Sequence, residues 1–293
     1  FNWREHFCGL TYASKICDRR VWRVFCLVAP SLADTLDENS LPFSVPVDKK
    51  VSVADINNIQ RDHFEDSQYD MRYTLAAGPY NNPRRYHGTY FKAERDGEMR
   101  WFVFQRPIAT NACAYSITTQ SRSWLPDEIG AVVWYGGGIP DLTCYVPMYA
   151  SMPELSPCLN SKAGSKQNFT RDSYWWAIRS VNTYADLMYD CMSEYIYEWI
   201  DKYEGHAIRS QSAVEAAALE LYQKDPQEAI DFLTVYCNRN VETVRDAWGE
   251  LLDDMIWNYT RCNVLGAGPF KQEGMPLEWR NRRLFYTSDA AAG

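Results

Sequence analysis

Apolar and polar positions follow a helical period at both ends of this chain and a strand period between them. Residues 11–30 carry an apolar stripe that predicts a helix, stopped by Pro30 in "VAPS". A polar linker with Pro42 and Pro46 follows. "SVADINNIQRDHFED" predicts a short helix, with Ser52 as N-cap and Asp55 three residues on, in capping-box position. On that helix Arg61 and Glu65 fall four apart and are expected to pair at the surface. "AAGPYNNPRRYHG" is dense in turn formers and reads as a loop.

The period then shortens. "GTYFKAE", "MRWFVFQR", "ACAYSITTQ", "GAVVWYGG" and "TCYVPMY" are short and rich in Val, Ile, Thr and aromatic residues. Hairpin-length connections separate them, among them Asp96-Gly97, so about five mostly antiparallel strands are expected. Gly136–Gly138 reads as a turn, because no glycine-rich phosphate-binding pattern surrounds it.

From Thr170, taken as a cap, the helical period returns. Val181, Tyr184, Met188, Cys191, Tyr195 and Trp199 recur at three and four residues and predict one long amphipathic helix with a core-facing aromatic stripe. A second helix is expected from "SAVE", with Ser212 and Glu215 in capping-box spacing. Asp225-Pro226 predicts the start of a third, running to about Thr260. The chain is therefore α+β, with mostly antiparallel strands followed by a helical C-terminal region.

The 293 residues carry a net charge of −8, which argues against a nucleic-acid partner. Residues 186–262 hold sixteen Asp and Glu against six Lys and Arg, read as a solvated acidic helical face. No apolar run is long enough to span a membrane, and no signal-peptide pattern opens the chain. The nine cysteines show no CxxC pair and are expected to be mostly reduced, buried thiols. No HExxH or GxSxG motif is present, the four histidines are scattered, and neither metal nor cofactor is called for. Two Asn-x-Thr triplets, at Asn168 and Asn258, are too common by chance to indicate secretion. The final "YTSDAAAG", residues 286–293, does not read as a domain end and is expected to be a sequence artefact.

Several blocks in order, "RVWRVFCLVAPS", "AAGPYNNP", "QSRSWLPDEIGAVVW", "YVPMYA" and "SAVEAAALELYQKDPQEAIDFLTVY", resemble the family of N-terminal-nucleophile cysteine dipeptidases that also contains the secernins. The likeness runs over roughly residues 8–262, and "QSRSWLPD" is its most specific part. It implies part of an αββα sandwich in which 1–160 form the second half of the hydrolase core. Residues 161–265 would pack on that core as a helical region, and 266–293 would be a tail. It also implies a dipeptide substrate and an N-terminal Cys whose thiolate attacks the peptide carbonyl. The first Cys here is Cys8, in "HFCGL", which reads as a structural thiol. The resemblance thus places the nucleophile in a missing N-terminal half, and this chain alone is expected to be inactive.

Within "QSRSWLPD", Arg122 is the candidate for the substrate carboxylate, and Gln120, Ser121 and Ser123 for further hydrogen bonds. The simpler expectation is that Arg122 pairs with Asp127 or Glu128 and pins the turn. A secernin-like binding or regulatory protein without a competent nucleophile is the alternative function. Compartment and oligomeric state stay open.

Overall fold

A computed structural model describes residues 12–85, 90–103, 105–164 and 167–259. Cys8, Cys262 and the 286–293 tail lie outside the described residues. Helix α1 spans Tyr12–Val28 and gives way to a 3-10 turn at Pro30–Thr35, as the proline requires. Helix α2 spans Val53–Gln60. Its capping box is complete: the Ser52 side chain accepts from the Asp55 N–H, and the Asp55 carboxylate accepts from the Ser52 N–H. The helix stops at Gln60, shorter than expected, and 61–66 form an irregular loop.

Five strands stand where the short period placed them, but in two sheets. β1, Tyr90–Arg95, and β2, Glu98–Val103, form an antiparallel hairpin. Asp96 and Gly97 at its tip both have positive φ, 56° and 77°, the backbone of a two-residue hairpin turn. β3, Tyr115–Ser121, β4, Ala131–Gly137, and β5, Val146–Tyr149, make the second sheet in that order, antiparallel throughout.

The register sets the two faces of this sheet. Thr118 lies opposite Trp134 and Gln120 opposite Val132, and Thr118, Trp134 and Val132 are buried on one face. On the other face Tyr115 and Ile117 are 59% and 47% exposed, beside half-buried Val133 and Tyr135.

The helical part corrects the sequence reading at two places. The stripe from Val181 to Trp199 is divided between α3, Tyr174–Ala185, and α4, Tyr189–Ile200, because the chain turns at 186–188. The cap of α3 is Ser173 rather than Thr170. The stripe itself faces the core: Val181 and Met188 are fully buried, and Tyr184, Cys191, Tyr195 and Trp199 pack against them. Helix α5, His206–Tyr222, follows α4 through a π-helical turn at Asp201–Gly205, so Ser212 is interior to a helix and caps nothing. Helix α6 spans Pro226–Asn258 from the expected cap, with the Asp225 carboxylate accepting from the Gln227 N–H.

Two apolar clusters result. One joins Val132, Trp134 and Tyr149 of the sheet to Ala207 and Ala218 of α5 and Leu233 and Cys237 of α6. The other gathers Val146, α3, α4 and the C-terminal half of α6 from Val241 to Met255. Among the described residues no helix is long and apolar enough to cross a membrane.

Candidate functional site

The turn after β3 carries the four residues singled out in the sequence. Ser121 and Ser123 are exposed and Gln120 is half-buried, its Oε1 accepting from Gln211 Nε2 at 2.8 Å. Arg122 is buried, and none of its expected partners holds it. Its Nη1 donates to Glu215 of α5 in an ion pair, Nη2 to the Ile129 carbonyl at 3.0 Å, and Nε to the Gly130 carbonyl at 3.4 Å. Glu215 also accepts from Tyr149 Oη and Gln211 Nε2, both at 2.9 Å. Neither Asp127 nor Glu128 pairs with Arg122. The guanidinium joins the turn to the helix and would have to leave Glu215 to meet a substrate carboxylate.

A second polar group gathers around the loop 61–66. Arg61 and Glu65 do not pair, because the helix that would align them has already ended. Arg61 reaches Glu204 and donates to the Thr143 carbonyl at 3.0 Å. Glu204 sits in the π-helical turn and also accepts from Asn57 Nδ2 at 3.0 Å and the Tyr145 N–H at 2.8 Å. Asp62 is clamped by Arg23, whose Nε and Nη2 both donate to it. Phe64 and Asp66 adopt left-handed backbone, φ 66° and 58°. For a bulky residue such as Phe64 this stores strain. Asp62 Oδ1 accepts from the Phe64 N–H at 2.8 Å and Ser67 donates to the Phe64 carbonyl at 2.7 Å, which holds the bend.

His63 is fully buried between two carboxylates. Its Nδ1 is 3.0 Å from Glu65 Oε1, and its Nε2 lies 3.7 Å from Asp141 Oδ2 without a hydrogen-bond partner. Burial would push the Glu65 carboxyl up, but the hydrogen bonds and charge of His63 outweigh it and carry it down to about 2. Asp141 accepts from Tyr189 Oη at 3.1 Å and pairs with buried Arg84 at 3.2 Å, and Arg84 pairs in turn with Asp186 at 2.6 Å. Burial drives the Tyr189 hydroxyl well above its ordinary range, so it stays a donor.

Beside this loop opens a pocket of about 400 Å³, lined among others by Arg61, Asp62, Glu65, Tyr189, Ser193 and Tyr197. Arg61, Asp62 and Arg72 reach it with their charges already balanced by Glu204, by Arg23, and by Asp66 with Asp70. The result is a polar recess lined by both signs of charge, Arg61 and Arg72 beside Asp62, Glu65, Asp190 and Glu194. Among the described residues no group of three His, Cys, Asp or Glu is placed to hold a metal ion.

Seven cysteines lie among the described residues, and Cys26, Cys144, Cys158 and Cys237 are buried. Burial raises the Cys144 thiol well above its ordinary value and pushes Cys237 up to about 12. Both are poor nucleophiles as placed.

The sequence of this α+β chain matches the peptidase family C69 model over residues 1–202. The chain belongs to that family. Among its relatives are a probable dipeptidase of Latilactobacillus sakei, 19% identical, and probable dipeptidase A of Streptococcus pyogenes, 24% identical. The first alignment covers 84% of this chain and 46% of the relative, the second 77% and 43%. Probable dipeptidase B of Lactococcus lactis is 23% identical over 79% of this chain and 41% of its own length. The chain spans less than half the length of these curated relatives.

Glu204, Asp141 and Arg84 have no signal in the sequence reading, and Glu215 enters it only as a capping residue. Their buried arginine–carboxylate pairs, Arg61–Glu204, Arg122–Glu215 and Arg84–Asp141, span 143, 93 and 57 positions, and no local spacing announces such a pair.

Proposed function

We propose that this chain is the C-terminal portion of a cysteine dipeptidase whose nucleophile is an N-terminal Cys outside these 293 residues. The match to peptidase family C69 over 1–202 carries this reading. Dipeptidase names among the relatives, and the coverage of less than half their length, support it. The described thiols fit the same account: four are buried, and an internal Cys has no free α-amino group of its own. In the whole enzyme that amino group, with an ordinary pKa near ~8, takes the thiol proton and the thiolate attacks the peptide carbonyl. Backbone N–H groups then hold the oxyanion.

The sheet supports the sandwich half of the proposal. Helices pack on both faces of the β3–β5 sheet, but at the β3 edge the face with Tyr115 and Ile117 is exposed and offers room for a further layer. In this arrangement residues 1–160 belong to the core and 161–265 cover it. Arg122 holds the turn in place, and Gln120, Ser121 and Ser123 offer hydrogen bonds to the substrate.

The test is a dipeptide hydrolysis assay on the longer polypeptide and on the 293-residue chain. The longer protein is expected to release free amino acids and to be blocked by iodoacetamide, and the shorter chain to be inert. Robust hydrolysis by the 293-residue chain sinks the proposal. A longer protein without a Cys at its processed start, and without activity, points instead to a secernin-like binding protein.

A further inference from the structure

We infer that the recess between the loop 61–66 and helix α4 is a binding site for a small organic cation with a primary ammonium head. It holds about 400 Å³, inside the range of roughly 300–1,000 Å³ usual for small-ligand sites. Both signs of charge line it, but its arginines are already matched within the fold. Arg61 pairs with Glu204, and the single charge of Arg72 meets two carboxylates, Asp70 and Asp66. Asp62 is matched by Arg23. Glu65 and Glu194 line the same recess, and neither pairs with a lysine or arginine among the described residues. The balance left in the recess is negative, which draws in a cation and disfavours an anion.

The two carboxylates come from different elements. Glu65 is held in the loop by His63: its Oε2 accepts from the His63 N–H at 2.6 Å, and its Oε1 lies 3.0 Å from His63 Nδ1. Burial opposes its ionisation, but these bonds and the charge of His63 prevail, so it is an anion at neutral pH. Glu194 is exposed on α4 and follows buried Ser193. Ser193 Oγ donates to the Asp190 carbonyl at 3.1 Å, which leaves its lone pairs open to a donor. Tyr197, one helical turn beyond Ser193, also lines the recess and is 41% exposed, so its ring is available to an alkyl stem. An ammonium group brings three donors and no acceptor, which is the complement of two carboxylates and a hydroxyl oxygen. No three His, Cys, Asp or Glu among the described residues are placed to hold a metal ion, so the cation that fits is an organic one. Such a head group stands at the end of a lysine-like side chain and at the amino terminus of a peptide.

The experiment is a saturation-transfer NMR titration of the 293-residue chain at moderate salt, with four probes added separately. They are n-butylammonium, alaninamide, tetramethylammonium and acetate. At least one of the two primary amines is expected to bind, and tetramethylammonium, which has the charge without the N–H donors, to bind more weakly. Acetate is expected to give no signal. Binding of n-butylammonium alone assigns the recess to a lysine-like amine, and binding of alaninamide alone to the amino terminus of a peptide. Glu194→Gln, a change at an exposed position, is expected to weaken amine binding about 3- to 10-fold, and Glu65→Gln to weaken it as well. Glu198→Gln, on α4 but outside the recess, is expected to leave it unchanged. Absence of binding by both amines overturns the inference, as does unchanged affinity in folded Glu194→Gln. Equal losses in Glu194→Gln and Glu198→Gln also overturn it, because they would reveal a diffuse acidic surface in place of a site.

Discussion

Arg122 and Glu215 meet across 93 positions of sequence and tie the turn after β3 to helix α5 in a buried ion pair. Removing one partner leaves the other charge stranded. Arg122→Ala is expected to cost about 3–5 kcal/mol of stability. Replacing both residues with Met removes the stranded charge and is expected to recover most of the loss. Urea denaturation of the single and double variants measures the difference, and equal losses in both would refute the pairing.

Gly136 is a tighter constraint than its place in a glycine run suggests. A Cβ there would stand 2.7 Å from Thr143 Cγ2 and 2.9 Å from the Tyr145 ring. Tyr145 cannot easily give way, because its hydroxyl is bound to Ser116 at 2.6 Å and to Gln60 at 3.1 Å. Gly136→Ala is expected to destabilise by about 1–3 kcal/mol through overpacking, read from the thermal midpoint. A variant as stable as the parent would show that the sheet yields at this point.

Local chemistry was legible in the sequence and long-range chemistry was not. Ser52 with Asp55, Asp96 with Gly97, and Asp225 with Pro226 act within a few residues, and each stands where its spacing predicts. The aromatic stripe was read correctly as core, but its division at 186–188 was not, because both helices keep the same apolar phase across the break. The cap assigned to Ser212 failed because α4 and α5 run on through a π-helical turn whose buried Glu204 is fixed by Asn57 of α2 and by the Tyr145 N–H just before β5. Arg122 was found by its motif, yet Glu215 was read as a capping residue. Nothing near either residue reports the distance that folding closes between them.

Thiol accessibility separates the cysteines. Cys17 is exposed, Cys113 and Cys191 are half-buried, and Cys26, Cys144, Cys158 and Cys237 are buried. Brief iodoacetamide treatment of the native chain, read by peptide mass mapping, is expected to modify Cys17 first. Cys144 and Cys237 should resist until denaturant is added, since burial keeps their thiols protonated. Early labelling of Cys237 would contradict its place between the sheet and α6.

Glu65 makes stability depend on acid pH. Its carboxyl is held at about 2 in the fold, against ~4.3 when unfolded. Between these values the unfolded chain binds the extra proton. The stabilisation is therefore complete above about pH 4.3 and is lost as pH falls toward 2. Because the side chain is partly exposed, the contribution is about 2 kcal/mol rather than the full shift. Glu65→Gln should flatten this part of the pH–stability profile, and an unchanged slope would remove Glu65 from the account.

Helix α6 has a mechanical consequence. Its 33 residues make a rod of roughly 50 Å, and its two halves are embedded in different apolar clusters. A rod shared in this way acts as a strut: loosening one cluster pulls on the other, so both are expected to melt in a single calorimetric peak. The helices from 170 onward cannot then be lifted away as a free-standing module without taking the floor of the sheet with them.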